Sequence, residues 1–74
     1  MAVDALVRMA NQIAANTGHL SDDDAVAAVA THLRLFWAPS MRDELAAWVA
    51  AGGAGLDPVA ARALQQVIGQ TAGR

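Results

Sequence analysis

The chain has 74 residues, with seven acids against five basic residues, a net charge of −2 and no cysteine. A chain of this length holds one small domain and buries only about 60% of the surface it exposes when unfolded. The missing thiols exclude disulfides, thiolate catalysis and cysteine-ligated zinc or iron–sulfur sites. The acidic balance withholds the positive field that a nucleic-acid backbone requires.

Hydrophobic residues make up 55% of the chain, but much of that share is alanine, which favours helix and contributes little burial. Runs of β-branched residues are scarce, which argues against strands. No stretch approaches the ~20 apolar residues of a membrane span. The N-terminus reaches Asp4 without a basic region and a long apolar run, so no secretory signal is expected. The expectation is a soluble, cytoplasmic, all-α protein: a single small domain of about four short helices in a compact array.

The first helix is predicted over 3–16. Val3, Leu6, Val7, Ala10, Ile13 and Ala14 recur on one face at helical spacing. Gly18 stands where a left-handed C-terminal cap would fall. The second is predicted over 21–37, with Ser21 and Asp24 at capping-box spacing and Asp22, Asp23 and Asp24 in its first turn, where the helix dipole favours acids. Its apolar face is Val26, Val29, Ala30, Leu33, Phe36 and Trp37, and Pro39 stops it. The third is predicted over 40–51, opened by a capping box at Ser40 and Asp43 or by Pro39 as the first helical residue. Met41, Leu45, Trp48 and Val49 form its stripe, and the run Gly52-Gly53-Ala54-Gly55 ends it. The fourth is predicted over 58–68, with Asp57 as N-cap and Pro58 behind it. A frayed tail is expected over 69–74.

The constellations with chemical promise are few. Three consecutive aspartates point about 100° apart on a helix and lack the glycine turn and distal carboxylate of a calcium loop, so they read as a cap. His19 and His32 lie in different elements and have no third ligand beside them. No nucleophile–base ordering and no phosphate loop after a strand is present, so no catalytic, cofactor or metal site is assigned. A helix-turn-helix reading of the second and third segments meets Arg42 beside Asp43 and Glu44, a poor face for DNA.

Two surfaces suit a protein partner. The stretch from His32 to Arg42 gathers Leu33, Arg34, Leu35, Phe36, Trp37, Pro39 and Met41 around a proline corner. Leu33, Phe36 and Trp37 can face the core, whereas Leu35 projects almost opposite Leu33 and, with Ala28 behind it, suggests a second apolar surface. Tryptophan and arginine are frequent interface anchors. On the first helix, Arg8, Asn11, Gln12 and Ala15 form a polar face with few charges, as one side of a hydrogen-bonded interface would.

Three stretches also carry a resemblance. Met9-Ala10-Asn11-Gln12-Ile13-Ala14, then His32-Leu33-Arg34-Leu35-Phe36-Trp37-Ala38-Pro39-Ser40-Met41-Arg42, then Gly52-Gly53-Ala54-Gly55-Leu56-Asp57-Pro58 resemble, in order, the delta subunit of cytoplasmic NAD-dependent formate dehydrogenases of the molybdenum or tungsten type. Ala38 stands where that family commonly has an aspartate, and Leu35 and Ser40 where it commonly has arginines. Losing the aspartate removes a natural N-cap ahead of Pro39. The resemblance implies a cofactor-free accessory subunit that docks on the catalytic alpha subunit and supports assembly or stability. The two surfaces described above make Arg8, Asn11, Gln12, His32, Arg34, Leu35, Phe36, Trp37, Pro39, Met41 and Arg42 the candidate partner contacts. The alternative is a self-associating helical module that forms a homodimer when isolated, with a DNA-binding helix-turn-helix a more distant third. Neither nucleic acid nor membrane is expected as a partner.

Overall fold

A computed structural model describes the backbone of residues 2–72 and the side chains of residues 2–69. Four helices follow one another: α1 (Val3–Ala15), α2 (Asp22–Phe36), α3 (Pro39–Ala50) and α4 (Pro58–Ala72). They form a small all-α domain measuring 29 × 28 × 21 Å, with no strand among the described residues.

Each helix boundary follows from local chemistry. Ser21 caps α2, its Oγ accepting the Asp24 N–H at 3.2 Å. At α3, of the two openings the sequence allows, the structure takes Pro39 in the first turn, with Ala38 as an N-cap that supplies no side-chain hydrogen bond. The proline begins that turn without needing its missing N–H. Asp57 caps α4 through its Oδ1, which accepts the Val59 N–H at 2.8 Å.

The glycines divide differently from the prediction. Gly18 is not in the left-handed region, and α1 stops at Ala15 rather than Asn16. There the N–H groups of Asn16, Thr17 and Gly18 donate to the Ile13, Ala14 and Ala15 carbonyls at 3.2, 3.0 and 3.4 Å, so tight i→i+3 turns close the helix, and the Thr17 hydroxyl adds a bond to the Ala14 carbonyl at 2.7 Å. The left-handed cap falls instead after α3, at Gly52 (φ 92°). The Gly52 N–H donates to the Val49 carbonyl and the Gly53 N–H to the Trp48 carbonyl, both at 3.0 Å. This pair of bonds is the Schellman pattern. A Cβ on Gly53 would run into the Trp48 indole, so the loop can lie across that ring only with glycine there.

The core joins all four helices. Leu6, Val26, Val29, Leu33, Leu45 and Val67 are almost fully buried, with Ala10, Ala60 and Ala63 between them. Alanines at these contacts let helices approach closely, and α2 and α4 make the most extensive pairing. Each buried leucine or valine contributes about 1.5–3 kcal/mol against exposure to water.

Two further boundaries correct the sequence reading. α4 continues through Gly69 to Ala72 instead of stopping at Ile68, while the remaining tail residues, 73 and 74, lie outside the described residues. α2 ends at Phe36, and Trp37 adopts an extended conformation (φ −96°, ψ 134°). Pro39 disfavours helical angles just ahead of it, so the chain leaves the helix early. The Trp37 indole, just past the helix end, lies in the core at 5% exposure, while Phe36, the last helical residue, stays outside at 71%. The placement of Phe36 on the buried face is therefore overturned.

Candidate functional site

The residues singled out from the sequence separate into three groups once folded. Asn11 belongs to the first, because its amide is used inside the chain. Its Nδ2 donates to the Gly55 carbonyl at 2.8 Å and its Oδ1 accepts the Asp57 N–H at 2.7 Å. One side chain on α1 thus closes both ends of a short stretch of the glycine-rich loop. An amide offers a donor and an acceptor side by side, which is what two antiparallel backbone groups demand. Its neighbours Arg8 and Gln12 stay exposed, and Arg8 pairs with Asp4, one turn earlier, at 3.7 Å.

The second group faces inward. Trp37 and Met41 pack with the core, Trp37 buried and Met41 partly so. They hold the α2–α3 corner in place rather than present it.

The third group is the outer surface of that corner. Leu35 is 67% exposed, and together with Phe36 it is the most exposed large apolar side chain among the described residues. Ala28, His32 and Leu35 follow one another along the outside of α2, and the His32 ring rests 4.9 Å from the Phe36 ring at a 46° tilt. Arg34 and Pro39 are also exposed. Arg42 is half-buried, and its Nε is enclosed without a hydrogen-bond partner. The second apolar surface expected from Leu35 is real, and Phe36 enlarges it.

Elsewhere the surface offers little chemistry. Among the described residues no cluster of three or more histidine, cysteine or acidic side chains could hold a metal, and no polar side chain is buried. Asp22, Asp23 and Asp24 are exposed in the first turn of α2, with Asp23 3.4 Å from Arg62. A groove of about 290 Å³ between α3 and α4 is lined by Ala46, Val49, Ala61, Leu64 and Ile68, with Gln65 as its polar member. It lacks the convergent polar groups that orient a small-molecule substrate. No helix among the described residues is long and apolar enough to cross a membrane.

The fold and this surface define a class: a small all-helical domain whose polar loop is fastened from within and whose apolar corner is left uncovered. Residues 5–64 match the family described as the NADH-dependent formate dehydrogenase delta subunit, FdsD. The chain belongs to that family, and with it to the subunits of a formate dehydrogenase complex. No curated protein and no solved structure matches it at comparable significance.

Proposed function

We propose that this chain is a non-catalytic accessory subunit of a cytoplasmic NAD-dependent formate dehydrogenase, docking on the catalytic alpha subunit and supporting assembly or stability of the complex. The observation that carries this reading is the family match, which spans residues 5–64 of the 74. The chemistry of the chain agrees with it. Without cysteine it cannot ligate iron–sulfur clusters through thiolates.

Candidate contacts are His32, Arg34, Leu35, Phe36, Pro39 and Arg42 at the corner, with Trp37 and Met41 supporting them from beneath. Arg8 and Gln12 on α1 remain a second face, which Asn11 serves from within by fixing the loop.

Co-expression with the other subunits, affinity capture on this chain and deletion of its gene test the reading. The expected result is copurification with the catalytic subunit, and loss of assembled complex or of formate oxidation on deletion. A chain that never copurifies, and whose deletion leaves the complex and its activity intact, would refute it. Self-association is the second reading, favoured by the exposure of Leu35 and Phe36. A strictly monomeric species at high concentration in sedimentation would remove it.

A further inference from the structure

We draw no further inference here: the strongest candidate, the exposed apolar patch of Leu35 and Phe36 at the α2–α3 corner, carries nothing because nothing in the structure shows what covers it, Arg42 being followed by the exposed acids Asp43 and Glu44.

Discussion

The loop from Gly52 to Asp57 is held by hydrogen bonds from Asn11, more than forty positions away in sequence. The turn at Trp37 and Ala38 is held by one buried indole, and it leaves the side chain just before it in solvent. The first connection satisfies its backbone polar groups from inside the domain, as partly buried loop backbone must. The second has little backbone to satisfy but exposes apolar surface that the domain does not use. A fold this small cannot cover everything it carries, and the contrast separates a feature that serves stability from apolar surface that the domain leaves uncovered. Asn11, drawn from the face that resembled a docking surface, turns out to serve the fold. Phe36, drawn from the face that resembled the core, turns out to be outside it.

Substitutions can separate the two regions. Leu33 and Leu35 lie on opposite sides of α2, one almost fully buried and one 67% exposed. Leu33→Ala opens a cavity beneath the corner and is expected to cost about 2–5 kcal/mol in chemical or thermal unfolding. For so short a chain that approaches the whole stability, and a cost below about 1 kcal/mol would mean the core is not centred there. Asn11→Ala removes the bonds to Gly55 and Asp57 and is expected to cost about 1–3 kcal/mol, read as a fall in Tm of roughly 4–8 °C per kcal/mol. Asn11→Asp sharpens this, because it keeps the acceptor for the Asp57 N–H and loses the donor to Gly55. Equal losses for both variants would show that only the Gly55 bond matters. The smallest effect is expected at the corner: Leu35→Ala and Phe36→Ala should each change stability by no more than about 0.5 kcal/mol. A large loss at Phe36 would place that ring in the core after all and erase the contrast.

Much of the architecture was legible because short-range rules dominate it. The apolar stripes of α1 and α4, the Ser21 and Asp57 caps and the proline start of α3 depend on residues within a turn of one another. The missing side-chain cap at Ala38 was legible for the same reason. The errors are also local but turn on competition. Gly18 stands where a left-handed cap was expected, but successive i→i+3 backbone bonds close α1 instead, and the left-handed cap falls at Gly52. The extension of α4 past Ile68 depends on the helix continuing through Gly69, which propensity alone disfavours.

The candidate site was legible in composition but not in arrangement. The sequence by itself determined that the chain is helical, lacks thiol chemistry, and places two of its three aromatics and two of its five arginines at one proline corner. Periodicity also showed that Leu35 opposes Leu33. Only the tertiary structure decided that Trp37 turns inward while Phe36 stays out, because that depends on where α2 ends relative to the helices packed against it. Only the tertiary structure, likewise, brought Asn11 to Gly55 and Asp57. A contact spanning 44 residues leaves no trace in local spacing, since the groups it joins become neighbours only when the core between them has closed.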